Sequence, residues 1–235
     1  MLYALRYPGS LLVLLLSYVL GLTLHGWVQA VVAERMGDRS LRPQNRLQFN
    51  PRWQIDPFGA VAGLIGGLGW ALPVDLAGRR DRRRTITVAL VGPAVNLLLG
   101  VGLLLLWRFA LADGASHDLA AGFSVSQVGA AVFLQHGYPF SADAAGYAVL
   151  LAGASQLYLG ALSLVPIPPL DGGRLLFALC PQTLGWQRAR HYLVEQNIGI
   201  AVVLALVLVP LGGGRLLASV LDTVLAPLMK VLLGV

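Results

Sequence analysis

Along the chain, long apolar runs alternate with short, arginine-bearing connections. The first run extends from about Ser10 to Val32. It is too long for the apolar stretch of a cleavable signal and has no small-residue cleavage site, so it reads as a span. A polar loop from Glu34 to Asp56 carries Arg35, Arg39, Arg42, Arg46 and Arg52. Phe58 to Ala77 is apolar but glycine-rich and interrupted by Pro73. A second basic connection holds Arg79, Arg80, Arg82, Arg83 and Arg84, and Thr85 to Leu111 is an uninterrupted span. From Ala112 to Ala145 the sequence is mildly polar, with Asp113, Asp118 and Asp143 and no lysine or arginine. Gly146 to Val165 spans again and ends at Pro166-Ile167-Pro168-Pro169. A short apolar helix over Leu170 to Leu179 follows, then a polar connection with Arg188 and Arg190. Ile198 to Leu211 and Leu216 to Leu233 read as a further pair of spans. Several runs reach the roughly 20 apolar residues that a spanning helix needs. The pattern predicts an all-α polytopic membrane protein, with residues 1–235 as a single membrane-embedded domain.

Composition supports this reading. The chain is 57% hydrophobic and 12% charged, with a mean hydropathy of +0.72, whereas soluble domains carry about a quarter charged residues. The net charge of +6 does not point to nucleic acid, because the arginines sit in loops between apolar runs and so report topology. They read as solvated or lipid-headgroup contacts that fix orientation. Trp53, Trp107 and Trp186 fall near predicted interfaces and read as belt anchors. The lone Cys180 excludes an intramolecular disulfide and reads as a small buried apolar residue.

Charge also decides the path of the second apolar run. If Phe58 to Ala77 crossed fully, its two arginine-rich flanks would lie on opposite sides, against the positive-inside bias. Glycine and Pro73 make a poor straight helix. The stretch therefore reads as a re-entrant hairpin, helical or with short β structure, that must pack against other helices because lipid cannot satisfy its amides. The same bias faces the arginine-rich loops to the cytoplasm and places the arginine-free connection outside. His25 then lies in the cytoplasmic half of the first span, at a depth similar to Asp171.

Those two residues are the candidate chemistry. His25 and Gln29 share one helical face, and an ionisable group inside a span is a functional candidate by default; the alternative is a histidine bonded to a neighbouring helix. Pro166-Ile167-Pro168-Pro169-Leu170-Asp171-Gly172-Gly173-Arg174 breaks a helix within the membrane and brings in a carboxylate. Asp171 could also simply cap the following helix.

Together these segments resemble the site-2 protease family of intramembrane zinc metalloproteases. In that family a His-Glu-x-x-His helix and a later Leu-Asp-Gly segment bind zinc, and the glutamate is the base that activates water. Leu170-Asp171-Gly172 is similar to the second motif. Gly92-Pro93-Ala94-Val95-Asn96 resembles the family's Gly-Pro-x-x-Asn element. Phe49-Asn50-Pro51 and Asp56-Pro57-Phe58-Gly59 resemble its loop before the hairpin, and Gly69-Trp70-Ala71-Leu72-Pro73-Val74 resembles the hairpin itself. The resemblance runs from about residue 10 to 235 and implies a site-2 protease-like helical core in the bacterial cytoplasmic membrane.

The departures fall on the chemistry. The first motif reads His25-Gly26-x-x-Gln29, so Gly26 occupies the general-base position and Gln29 the second-ligand position. Of the metal ligands the resemblance implies, His25 and Asp171 remain; Asn96, Ser163 and Gln54 are expected to line the site. Ser163 stands where relatives usually have asparagine, Gln54 where they often have histidine, and Leu72 at a position commonly lysine. A catalytic zinc takes three ligands from His, Cys and carboxylate plus water, and losing a general base costs about 10²–10⁴ in rate. Glu34, about half a turn around the helix, and His117, His136 and His191 offer no replacement. The expectation is a non-catalytic pseudoprotease without a bound cofactor, with zinc only if the family site is retained. Its partners would be the bilayer and transmembrane segments of other membrane proteins, with no nucleic acid. An unwound partner segment could add to the hairpin's edge. The alternatives are an intramembrane zinc metalloprotease performing regulated cleavage of membrane proteins, active or inactivated by deliberate substitution, and an ion or small-solute transporter using Asp171.

Overall fold

The computed structural model describes residues 8–76, 81–112, 144–181, 183–211 and 214–234. Arg79 and Arg80, the connection containing Asp113, His117, Asp118, His136 and Asp143, and Gly212-Gly213 lie outside the described residues. The helices are α1 (Pro8–Arg35), α2 (Pro51–Gln54), α3 (Pro57–Gly66), α4 (Arg82–Leu106), α5 (Ala144–Ser163), α6 (Asp171–Leu179), α7 (Leu184–Arg190), α8 (Ile198–Leu208) and α9 (Leu216–Leu233). π-helical turns at Trp107–Leu111 and His191–Glu195 extend α4 and α7. Strand pairing among the described residues is confined to a two-residue ladder, Pro210–Leu211 with Gly214–Arg215, and an isolated bridge between Ile55 and Ala71.

Among the described residues, four helices are long and apolar enough to cross a membrane: Leu11–Arg35, Arg82–Leu111, Ala145–Ser163 and Leu216–Leu233. The expected last pair of spans is corrected in part. α8 has 11 residues, about 16 Å of helix, and cannot cross alone. It continues Leu184–Glu195 across a 68° bend, where Asn197 adopts a left-handed conformation with φ 57°.

α4 and α5 approach closely because glycine faces the contact. A Cβ at Gly100 would stand 2.7 Å from the Leu157 amide nitrogen, and one at Gly160 would stand 2.7 Å from Leu97 Cγ. Small residues at such crossings let backbones approach in a medium that supplies no hydrophobic drive. Polar bonds add to the packing. Gln156 Nε2 donates to Ser17 O at 2.7 Å, Ser17 Oγ lies 2.6 Å from Ser155 Oγ, and Tyr158 Oη donates to Asp222 at 2.9 Å. Trp107 is fully buried in the core around Leu104 and Leu157. It is therefore a packing residue and not a belt anchor. Cys180 is half-buried and lines a cavity of about 270 Å³ with Phe177 and Trp186, so it is not a core residue.

The hairpin follows from its caps and glycines. Asn50 accepts from the Arg52 amide and Asp56 from the Gly59 amide, each followed by proline at the first helical position, the preferred N-terminal arrangement. α3 spans only ten residues and ends at Gly67 with φ 81°, which glycine adopts without strain. The chain then runs back extended, and the Leu72 amide donates to Gln54 O at 2.7 Å. Residues 56–70 thus leave and return to one level, as a re-entrant segment must. Its two limbs close on Tyr18 of α1, whose hydroxyl donates to Gly59 O at 2.7 Å. A Cβ at Gly63 or Gly69 would overlap that hydroxyl.

Gly69→Ala is expected to cost about 1–3 kcal/mol by overpacking, and Tyr18→Phe about 0.5–1.5 kcal/mol through the lost bond. Thermal unfolding in detergent measures both. A neutral Gly69→Ala would show that the slot around Tyr18 is looser than described.

Candidate metal-site remnant between α1 and α6

Asp171 opens α6. Its preceding residue, Leu170, is the N-cap and makes no side-chain cap bond. The Asp171 carboxylate reaches out of its own helix, which answers the capping alternative. Oδ2 lies 2.7 Å from His25 Nε2, and Oδ1 accepts from Gln29 Nε2 at 2.8 Å and from Arg174 at 3.2 Å. His25, Gln29 and Asp171 are all buried. A carboxylate facing these partners can only accept, so the imidazole carries its proton on Nε2 and the Gln29 amide presents its N–H side.

Glycine makes this convergence sterically possible. A Cβ at Gly92 would overlap His25 Nε2 and stand 2.8 Å from Gln29 Nε2, so α4 can pass the pair only without a side chain there. The Leu164–Pro168 backbone likewise lies over the start of α6, where a Cβ at Gly172 or Gly173 would collide with backbone atoms. The Asp-Gly-Gly run is therefore a carboxylate followed by two positions that admit the turn folded onto it.

The surrounding polar groups tie the remnant to the hairpin. Arg174 also donates to Val74 O. Arg46 is 2% exposed and donates to Trp53 O and Leu72 O at 2.7 Å each. Two guanidinium groups thus hold alternate carbonyls of the returning limb. Burial, with Arg174 nearby, pulls the Arg46 guanidinium down to about 10. Reading Arg46 as a solvated topology charge is corrected: it is an internal clamp. Sequence gives no sign of this, since it resembles the other loop arginines.

Of the expected lining residues, Gln54 and Asn96 are fully buried and Ser163 nearly so. Gln54 abuts Gly26. Asn96 stands one turn along α4 from Gly92, and among the described residues neither amide atom has a partner. Ser163 Oγ donates to Leu159 O of its own helix. Glu34 pairs with Arg42, and His191 with Glu195 at 2.7 Å; neither joins the remnant. The intramembrane amide Gln156 was not among the sequence candidates, although a lone amide in an apolar span is a usable signal.

The donor set does not fit a catalytic zinc. Such an ion takes three ligands from His, Cys and carboxylate, and among the described residues no group of three or more His, Cys, Asp or Glu could hold a metal. Both Asp171 oxygens are occupied by protein donors, one of them shared with the cation Arg174.

Residues 35–210 match the profile of Peptidase family M50. The match includes Asp171 and begins after the His25–Gln29 segment. A Bacillus subtilis protein provisionally named zinc metalloprotease YwhC is 32% identical over 214 residues, 88% of this chain and 86% of that one. A Mycolicibacterium smegmatis protein provisionally named zinc metalloprotease Rip2 is 31% identical over 209 residues, covering 85% and 69% of the two chains. No solved structure matches the chain significantly.

Removing one member of a buried pair leaves the other uncompensated, at about 3–5 kcal/mol. Asp171→Ala should show such a loss in thermal unfolding, and adding His25→Ala to it should cost little more. Additive losses would mean that the two side chains act independently.

Proposed function

This chain belongs to Peptidase family M50, the site-2 protease family, and on that premise we propose that it is a pseudoprotease that binds transmembrane segments of other membrane proteins without cutting them. It is an integral membrane protein. Part of the same proposal is a location in the bacterial cytoplasmic membrane, with the arginine-bearing loops on the cytoplasmic side. Residues 1–235 would act as one membrane-embedded domain.

One observation carries the reading. The carboxylate that would face a metal is consumed by His25, Gln29 and Arg174, and the neighbouring position 26 is glycine, which can neither take nor give a proton. Gln29 offers a neutral amide, a weak ligand for a borderline-soft ion. The framework is meanwhile kept: the spans, the hairpin and the break before Asp171 supply a place for a partner helix. A locally unwound partner segment would add to the hairpin's returning limb.

The names of the two relatives favour a second reading, an intramembrane zinc metalloprotease acting on membrane proteins. The readings part on turnover. Protein reconstituted in liposomes with photo-crosslinkable single-span peptides is expected to form crosslinked complexes and no cleavage product. Cleavage abolished by a zinc chelator would establish the protease reading. Absence of crosslinks under conditions where the protein is folded would remove the partner half of the proposal.

A further inference from the structure

Gln54 is the last residue of α2, in the loop that leads into the hairpin, and it is fully buried. Its Nε2 donates to Arg46 O at 2.7 Å and to Gln48 O at 3.1 Å, and its own carbonyl accepts the Leu72 amide at 2.7 Å. The side chain is thus fixed from the loop and the backbone from the returning limb. Its Oε1 has no partner among the described residues. That oxygen stands 2.7 Å from where a Cβ on Gly26 would be, with the Gln54 Cβ and carbonyl oxygen each at 3.3 Å.

We infer that Gln54 is a built-in plug of the remnant site: its amide fills the space that any side chain at position 26 would need. Apart from its own residue, its chain neighbours and its helix backbone, a Cβ essentially never has a heavy atom within 3.0 Å, so a residue larger than glycine at 26 must displace the Gln54 amide oxygen. The far end of a glutamine can usually swing aside. Here swinging would break two bonds to backbone carbonyls: the Gln48 oxygen keeps the Asn50 amide at 2.9 Å, but the buried Arg46 oxygen would lose the Gln54 donor, which is costly. The stem is no freer, since its Cβ and carbonyl also crowd the position.

Gly26 and Gln54 are therefore one packing unit, although they lie on different elements. Gly26 follows His25 directly and sits one helical turn from both Leu22 and Ala30, on the stretch of α1 that bears the polar pair. An amide from the hairpin loop is wedged against α1 at that point. Restoring an acidic side chain at 26 would have to be accompanied by a smaller residue at 54. That position 26 is the general-base position rests on the reading proposed above; the steric coupling does not.

The test is a double-mutant cycle on thermal stability in detergent, with Gly26→Ala, Gln54→Ala, the double variant and Gly102→Ala. Alanine normally stabilises an interior helical glycine position, and at Gly102 nothing lies within 4 Å of an added Cβ. Gly102→Ala should therefore hold or raise Tm, whereas Gly26→Ala should lower it by several degrees. The double variant should be no less stable than Gln54→Ala alone. If Gly26→Ala yields no folded protein, adding Gln54→Ala should recover monodisperse material. A Gly26→Ala variant that behaves like Gly102→Ala, penalties that add in the double variant, or a failed recovery would overturn the inference. None of these readouts involves metal or substrate, so their failure leaves the proposed function standing.

Discussion

A carboxylate withdrawn from water into a membrane protein's interior must be compensated, and the cost of leaving it bare exceeds that of most other local arrangements. Asp171 is such a group. His25 and Gln29 from α1 and Arg174 from its own helix meet it, which fixes α1 against α6 across a long stretch of sequence. Arg174 carries the linkage onward to Val74, and Arg46 adds a second hold at Leu72. The returning limb of the hairpin is therefore held by the same polar network that satisfies the carboxylate. A residue set that resembles a metal centre acts here as an internal tie between helices and hairpin.

Glycine makes this tie possible. At Gly92, α4 lies against the imidazole and the Gln29 amide; at Gly172 and Gly173 a turn folds onto the start of α6. These are the positions where polar side chains and backbone must share space that a Cβ would fill. Gly26 belongs to the same class, with the difference that a side chain, Gln54, takes the space. The small residues of the family-like motifs thus have a steric meaning in this chain that is separate from catalysis.

Much of this was legible along the chain. The four spanning helices of the described residues follow from hydropathy. The re-entrant path follows from the conflict between arginine placement and a full crossing, and the depth of His25 and Asp171 follows from that topology. Other features were hidden for physical reasons. Arg46 is indistinguishable by type from its solvated neighbours, and only the fold reveals that it ties the Trp53 carbonyl of α2 to the Leu72 carbonyl of the returning limb. Trp107 stands at the end of an apolar run, where an interfacial and a core tryptophan look alike. α8 is apolar enough to pass for a span, but the left-handed Asn197 bends the chain before it and its length falls short. The Gly26–Gln54 contact joins a helix to a loop, and no local pattern records it.

A His25–Asp171 pair that satisfies itself, as in the proposed pseudoprotease, would not grip a metal ion. Elemental analysis of zinc in the purified, unmodified protein, after exposure to the metal and removal of loosely held ions, measures this directly. Far less than one zinc per chain is expected, with the same thermal stability before and after chelation. One tightly held zinc per chain, lost on His25→Ala or Asp171→Ala, would contradict it.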